Sequence, residues 1–454
     1  MTLERGLARE VRRLALPAIA QSLLQTLVFV VDRVMLGHHS EASLAAMQIA
    51  GPLEWSVWSV FSAFTVGTIA RVGRHVGAGD RAAAGNAARA SIAYAVGCGL
   101  VVTLVTPALV LGLGRVLPGA SHATVTCAEG YLAWTLAGSP LVFVGAAAIA
   151  ALQASGDTRT PLAIGIGVNV VHIATNRVLI LGTSWSPPLG MTGAGVSTVL
   201  TFGLEAALAC AVLMRGSGLV SLRRRASARR GDTREEGRAM RRIALPALLE
   251  RVLYHAGFLG FVWMIARLGD EVMAANQALV SVESVCFLSA DGFGIAAAAL
   301  VAQKLGAGKV QQARGCAILS ARYAAVLLTS LGLTFLATRG WVLPIFCAQA
   351  RIVDLGAAAV PVLTVAQPFM AVAVVLGQSV RGGGFTRSAL AVTAICALGV
   401  RLSCTWIFAV WLGLGLRGVW IGSTCDGCVR SALRVAVGGL IGSRLHARAS
   451  PAPS

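Results

Sequence analysis

The chain has 454 residues, of which 56% are hydrophobic and only 13% are charged, and its formal net charge is +19. A typical soluble domain has roughly 25% charged residues, so this composition excludes a water-soluble globular fold. The basic balance taken alone would suit a nucleic-acid-binding protein, but the positions of the basic residues argue against that class.

Twelve apolar stretches run from one end of the chain to the other. Each has the roughly 20 residues that a helix needs to cross a bilayer. They lie at 14–36, 45–69, 86–114, 123–151, 161–183, 189–215, 243–268, 274–301, 315–338, 355–380, 388–413 and 416–441. The N-terminus lacks a short apolar core with a small-residue cleavage site, so we expect no removable signal peptide.

The basic residues are distributed unequally between the two sides of these predicted spans. If the N-terminus lies inside, 29 of the 38 Lys and Arg fall on the inner side. The residues on the outer side are Arg115, Arg267, Arg339, Arg351 and Arg417. This asymmetry follows the positive-inside rule and predicts that both termini are cytoplasmic. The basic charge therefore orients the chain in the membrane and does not indicate binding of nucleic acid.

The two halves of the sequence repeat one another at a shift of 229 residues. The segment at 12–17 returns at 241–246, and the Gly-Ala-Gly run at 77–79 returns at 306–308. Each half begins inside and crosses six times, so the repeats have the same orientation and are related by an axis along the membrane normal. Membrane transporters are often built in this way.

The repeat predicts an all-α polytopic membrane protein of twelve transmembrane helices. We expect two parallel six-helix lobes around a central cleft, with the substrate in the cleft. The predicted parts are an N-terminal lobe at 1–214, a basic linker at 215–242 and a C-terminal lobe at 243–454. The linker is interpreted as a solvated tether on the cytoplasmic side, close to anionic lipid headgroups.

Polar residues on the first span form one stripe. Gln21, Gln25 and Asp32 stand at i, i+4 and i+11, which places them within about 40° of one another around a helix. Arg33 points about 100° away from them. A carboxylate at the end of a polar stripe in an apolar helix suits a proton or cation site. The alternative is a helix-end carboxylate that is solvated, or that pairs with an arginine for structural reasons.

The fifth span carries a second polar stripe. Asn169, His172 and Asn176 stand at i, i+3 and i+7. Such side chains can hydrogen-bond a substrate, and a histidine among them can relay a proton. The alternative is a polar contact between two helices with no role in transport.

The C-terminal half keeps a polar face on its first span. Glu250 and Tyr254 are the repeat-mates of Gln21 and Gln25. Two readings of Glu250 remain open. It is either an ion-binding acid or a carboxylate solvated beside Arg251 and the basic linker.

Further acids lie in spans two and eight. Glu54 and Glu283 occupy equivalent positions of the repeat, which suggests a shared environment, either a cavity or a structural hydrogen bond near Pro52. Asp291 follows in span eight. The candidates for binding the coupling ion are Asp32, Glu54, Glu250, Glu283 and Asp291. The candidates for lining the substrate cavity are Gln21, Gln25, Asn169, His172, Asn176 and Tyr254.

The sequence predicts no cofactor and no enzyme chemistry. The Gly-Ala-Gly runs lack the strand and the Gly-Lys-Ser/Thr context of a phosphate loop, and are interpreted as turns in which Gly supplies a positive φ. Cys425 and Cys428 have the spacing of a redox or zinc pair, but they lie within a predicted span without a second pair. No ATP-driven pump is indicated.

Several segments, taken in order, resemble the multidrug and toxic compound extrusion (MATE) family. They are Pro17 with the Val-Asp-Arg-Val-Met-Leu-Gly run at 31–37, the stretch at 66–80, and the Gly-Asp-Thr-Arg-Thr-Pro turn at 156–161. The resemblance covers nearly the whole chain and agrees with the count of six plus six spans.

The resemblance implies an antiporter of a bacterial inner membrane. Such a protein exports organic, often cationic, compounds while H⁺ or Na⁺ runs inward, and needs no cofactor beyond that ion. The family's first-span acid, its coupling-ion site, matches Asp32. Some members add an acid in span five, where this chain has Asn176. For the acids that other members have in spans seven, eight and ten, the candidates here are Glu250, Glu283 and Asp291.

Two other functions fit parts of the sequence. A lipid-linked oligosaccharide flippase of the same ancestry tends to have fourteen spans and a cationic cavity, whereas twelve spans and intramembrane acids favour efflux. A polytopic membrane enzyme would need a cluster of catalytic polar residues at one membrane face, which the pattern does not show. The expected partners are a small organic substrate and the bilayer, with no nucleic acid, and the protein is expected to be a monomer.

Overall fold

The computed structural model describes residues 2–116, 121–184, 187–216, 218–223, 230–346 and 349–449. Helices account for nearly all of them. The helices of the first half are α1 (Thr2–His39), α2 (Glu41–Phe61), α3 (Phe64–Gly77), α4 (Arg81–Val116), α5 (His122–Ala137), α6 (Ser139–Ala154), α7 (Arg159–Leu181) and α8 (Gly190–Arg215). Those of the second half are α9 (Arg230–Ala266), α10 (Asp270–Gly306), α11 (Val310–Phe346), α12 (Ala350–Gly382), α13 (Thr386–Thr393), α14 (Arg401–Thr405) and α15 (Gly415–Ala449), with π-helical turns at Ala394–Val400 and Trp406–Trp411 on either side of α14.

Each of the twelve predicted spans is helical, so the predicted all-α membrane fold is confirmed. Within the described ranges, nine helices are long and apolar enough to cross a membrane on their own. The bent pair α5 and α6 counts as a tenth when taken as one span. Two of the twelve predicted spans do not meet this criterion: the span that corresponds to α2 with α3, and the span that corresponds to α15. These helices are less apolar or more charged than the others.

Two spans of the first half are broken where their repeat-mates are continuous. Helix α2 ends at Phe61 and α3 begins at Phe64, whereas the equivalent stretch of the second half lies within the single helix α10. Helices α5 and α6 meet at an angle of 51°. Pro140 stands in the first turn of α6, where its missing N–H is tolerated, whereas its repeat-mate Pro368 lies inside α12.

The turns after α3 and α10 have the predicted glycine conformation. Gly79 has a φ of 77° and Gly308 a φ of 72°, both in the left-handed region that a residue with a Cβ adopts at a cost. Helix α3 ends at Gly77 and α10 ends at Gly306, so both Gly-Ala-Gly runs lie at helix ends. These turns confirm the interpretation of the two runs as connections and not phosphate loops.

The described chain forms two compact units. The N-terminal unit consists of residues 23–248, and the C-terminal unit consists of residues 1–22 together with 249–454. Helix α1 begins in the C-terminal unit, where the backbone of Ile19 lies so close to Gly292 that a Cβ there would collide with it. It then continues into the N-terminal unit. The parallel relation of the two lobes stays a prediction.

The segment predicted as a solvated linker is partly packed. Helix α9 begins at Arg230, and Glu236 in its first turns is only 8% exposed. Its carboxylate accepts hydrogen bonds from Arg71 at 2.5 and 2.8 Å, and lies 3.0 Å from Nε2 of His75. The hydroxyl of Tyr94 donates to the carbonyl of Gly237 at 3.1 Å. The prediction of a tether was therefore wrong for 230–242, which is helical and bound to α3 and α4.

Candidate ion and substrate site

The two polar stripes of the N-terminal unit meet at Asp32. Helix α7 presents His172 and Asn176 four residues apart on one face, and α1 supplies the carboxylate. Asp32 is 8% exposed, His172 5% and Asn176 0%. The side-chain amide of Asn176 donates to Oδ1 of Asp32 at 2.6 Å. The carboxylate is therefore buried, and the alternative of a solvated helix-end acid does not hold.

The hydrogen bonds of this cluster place the carboxylate of Asp32 where it can share a proton with His172. The Thr201 hydroxyl has one hydrogen, which it donates to the Ser197 carbonyl at 2.8 Å, so it accepts from Nδ1 of His172 at 3.0 Å. Nε2 of His172 then lies 3.0 Å from Oδ1 of Asp32. Two acceptors would repel at this distance, so a proton on either atom would be shared by the pair. The pair can therefore bind a single proton.

Asn176 leaves an acceptor free inside the same cluster. Its Oδ1 atom is buried and has no hydrogen-bond partner among the described residues. A buried polar atom without a partner is costly, which makes it a candidate ligand for a bound ion, water molecule or substrate group. Asn176 thus occupies the place of a second acid without adding a second negative charge.

Glu54 lies in the apolar core of the same unit. It is 3% exposed, its Oε2 accepts from the Tyr131 hydroxyl at 2.8 Å, and its Oε1 has no partner within the described ranges. Because a charged carboxylate with an unpartnered oxygen is costly to bury, these surroundings favour the neutral acid.

The remaining candidates of the N-terminal unit and of α1 differ in their burial. Gln21 is 8% exposed, whereas Gln25 on the same predicted stripe is exposed. Asn169 is partly exposed and lies one turn before His172. The stripe on α1 therefore does not have uniform surroundings: its first and last members are buried, while the middle one is not.

In the C-terminal unit, the carboxylate of Glu250 lies close to the guanidinium groups of two arginines. It is 4% exposed, and its Oε1 accepts from Nη1 of Arg381 at 2.8 Å and from the Thr393 hydroxyl at 2.9 Å. Nη2 of Arg434 lies 4.0 Å from the same oxygen. The reading of Glu250 as a carboxylate solvated beside the linker was wrong, because its partners are buried side chains of α12, α13 and α15. These contacts favour a structural counter-ion over an ion-coupling acid.

The other acids of the C-terminal unit have separate partners. Asp291 accepts from Nε2 of Gln378 at 2.8 Å. Glu283 is partly buried, and Arg401 is its electrostatic neighbour. Since Glu54 binds a tyrosine instead, the two repeat-equivalent glutamates do not share an environment. Tyr254 is partly buried, with its ring edge-on to that of His255 at 5.5 Å between centroids.

Sequence reasoning missed the partners of these acids. Hydroxyl and guanidinium groups supply most of them: Tyr131 for Glu54, and Thr393, Arg381 and Arg434 for Glu250. Hydroxyl residues are common in any span, and no spacing pattern distinguishes the hydroxyl or arginine side chains that face an acid on another helix. The arginines were counted with the basic residues of the inner side, but Arg434 is only 6% exposed. Its charge lies inside the unit.

A fold made of apolar helices long enough to cross a bilayer is that of a polytopic membrane protein. The MatE family profile matches residues 17–178 and 246–407, and the chain belongs to that family. It is 26% identical over 427 residues to the probable multidrug resistance protein NorM of Thermotoga maritima, covering 94% of this chain and 91% of that one.

Solved structures show the same fold. A MOP superfamily transporter from Pyrococcus furiosus superposes with a TM-score of 0.89 at 20% identity, covering 98% of both chains. An outward-facing multidrug resistance transporter of the MATE family superposes with a TM-score of 0.88 at 21% identity, also over 98% of both chains. The resemblance to the MATE family drawn from the sequence motifs is confirmed.

Proposed function

We propose that the protein is a secondary antiporter that exports organic cations in exchange for H⁺. The observation that carries this proposal is the buried cluster of Asp32, His172 and Asn176 in the N-terminal unit, whose hydrogen bonds suit the binding of one proton. The family supports transport of small organic compounds, and the name of the Thermotoga maritima relative refers to multidrug resistance.

The charge of the cluster links the proton to the substrate. With its proton, the Asp32–His172 pair has a net charge of zero, and without it the charge is −1. A low dielectric strengthens the attraction between that negative charge and an organic cation. Proton binding therefore weakens cation binding, and linkage requires that cation binding weakens proton binding equally. Such a coupling is what an antiporter needs.

Na⁺ is the alternative coupling ion. A carboxylate and an amide carbonyl are ligands that suit a hard cation, and Asn176 has a buried Oδ1 without a partner among the described residues. Substrate uptake into everted membrane vesicles, driven by an imposed pH gradient in Na⁺-free buffer, separates the two ions. We expect uptake to proceed without Na⁺. Uptake that needs Na⁺ and ignores the pH gradient would contradict H⁺ coupling.

Accumulation of permanently charged dyes tests the function as a whole. A host that lacks its own efflux pumps is expected to accumulate less ethidium when it expresses the protein, and an uncoupler such as a protonophore is expected to remove the difference. A vector without insert is the control. The same comparison is made with tetraphenylphosphonium. If cells with the protein in their membrane accumulated as much of both cations as the vector control, cation export would be contradicted.

The orientation of the chain gives a separate prediction. Because basic residues concentrate on one side of the spans, we expect both termini and the segment at 215–242 to lie in the cytoplasm of a bacterial cell. Alkaline phosphatase fused after residue 230 or at the C-terminus should be inactive, since the enzyme matures only outside the cytoplasm. A fusion in the predicted outer loop at 183–188 should be active, and the reverse pattern would overturn the orientation.

A further inference from the structure

The C-terminal unit contains a cavity at the end where α10 and α12 finish and α11 begins. It is bordered by the last turns of α10 and α12, the first turns of α11 and the second half of α15. Its empty volume is about 750 Å³, which includes space open to the surroundings. The wall is apolar except for Arg314, Ser379 and Arg434. The transport mechanism proposed above does not use this cavity.

The guanidinium of Arg434 lies at the cavity wall, and its positive charge is only partly neutralised by a neighbouring carboxylate. Its neighbouring carboxylate, Glu250, is 2.8 Å from Arg381 but 4.0 Å from Arg434, so two arginines share one negative charge. Nη1 of Arg434 donates to the carbonyl of Ala373. Nε of Arg434 is buried and has no hydrogen-bond partner among the described residues. A buried cationic donor without a partner indicates a missing anionic acceptor.

Glycines leave room for both the arginine and a ligand. A Cβ at Gly377 would collide with the Arg434 guanidinium, so only a glycine lets this side chain lie against α12. Along α15, a Cβ at Gly438, Gly439 or Gly442 would meet no atom within 4 Å. The α15 side of the cavity is therefore bare backbone facing open space.

We propose that this cavity binds one anionic membrane phospholipid, with its phosphate at Arg434 and Arg314 and an acyl chain along the apolar wall. Arg314 is exposed, and the exposed Lys309 of the neighbouring α10–α11 turn adds a second positive charge where a headgroup would lie. The apolar lining suits a hydrocarbon chain and not a compact polar anion. A lipid, present in the bilayer at high local concentration, fits both features.

The test is lipid binding by the purified full-length protein in detergent, followed by native mass spectrometry. Phosphatidylglycerol is titrated against phosphatidylcholine with the same acyl chains. We expect one phosphatidylglycerol to be retained at least about 5-fold more tightly, since a basic side chain contributes about that factor with an anionic headgroup. Arg314→Gln should reduce the affinity by a similar factor. Arg417→Gln, at the other end of α15, is the matched control and should change nothing.

A cavity-filling variant tests the site with both arginines in place. Gly439→Leu retains both arginines, fills open space and should remove the preference for phosphatidylglycerol while the melting temperature is kept. Equal retention of the two lipids by the parent protein would overturn the proposal, as would an unchanged preference in Gly439→Leu. Tight binding of dodecyl phosphate without binding of phosphatidylglycerol would also overturn it, because the site would then take a soluble amphiphile.

Discussion

Asp32→Asn is expected to abolish proton-driven efflux while the protein still folds and reaches the membrane. The amide keeps the size of the side chain and a contact with Asn176, but it cannot bind or release a proton. Substrate affinity in the parent protein should fall as the pH is lowered, because proton binding removes the negative charge that attracts the cation. The coupling is expected to be about 5- to 150-fold. In the variant, affinity should be independent of pH.

Transport and equilibrium binding need to be measured on the same preparations. Tetraphenylphosphonium, which does not itself titrate, is the probe, and expression is matched by quantifying the protein in the membrane. Arg33→Gln is the control, because Arg33 is the next residue on α1 but is exposed. It should keep efflux and the pH dependence. If Asp32→Asn transported as well as the parent, Asp32 would be structural and another acid would have to couple the ion.

Glu250→Ala is expected to destabilise the C-terminal unit by about 3–5 kcal/mol, the usual cost of removing one partner of a buried ion pair. The substitution leaves Arg381 and Arg434 buried with no carboxylate between them, and removes the acceptor of the Thr393 hydroxyl. The effect should appear as a lower melting temperature and as aggregation of the purified protein in detergent.

A surface pair provides the matched comparison. Glu271 pairs with Arg351 at 3.0 Å, but their side chains are 47% and 79% exposed. Solvent screens such a pair, so Glu271→Ala should leave the melting temperature nearly unchanged. Equal melting temperatures for Glu250→Ala and the parent would show that the contacts of Glu250 with Arg381 and Arg434 do not stabilise the protein. Retained stability together with lost transport would identify Glu250 as a coupling acid.

The apolar spans could be predicted because bilayer thickness imposes a length on each of them. Hydropathy alone predicted twelve spans, each of which is helical, and the sequence motifs then indicated the family to which the chain belongs. Where each helix breaks was less predictable. Pro140 starts a new helix, whereas its repeat-mate Pro368 lies within a continuous one, so the same residue type has two outcomes that tertiary packing decides.

Part of the site was predictable because an α-helix places residues three or four positions apart on the same face. Helical periodicity places His172 and Asn176 on one face, and it marked Asp32 as unusual within an apolar span. It does not tell which faces of two helices meet when 140 residues separate them. Periodicity also grouped Gln25 with Asp32, but Gln25 is exposed. Partners such as Thr201 carry no pattern of their own, so only the packing of α7 against α8 identifies them.

Proton release on substrate binding tests the central proposal most directly. The purified protein, in weakly buffered detergent solution, is mixed with tetraphenylphosphonium, and a pH-indicator dye records the protons that appear. The parent protein should release up to one proton for each cation bound, because the cation replaces the proton held by the pair. Asp32→Asn should release none. Cation binding without proton release by the parent, or equal release by Asp32→Asn, would contradict exchange at this site.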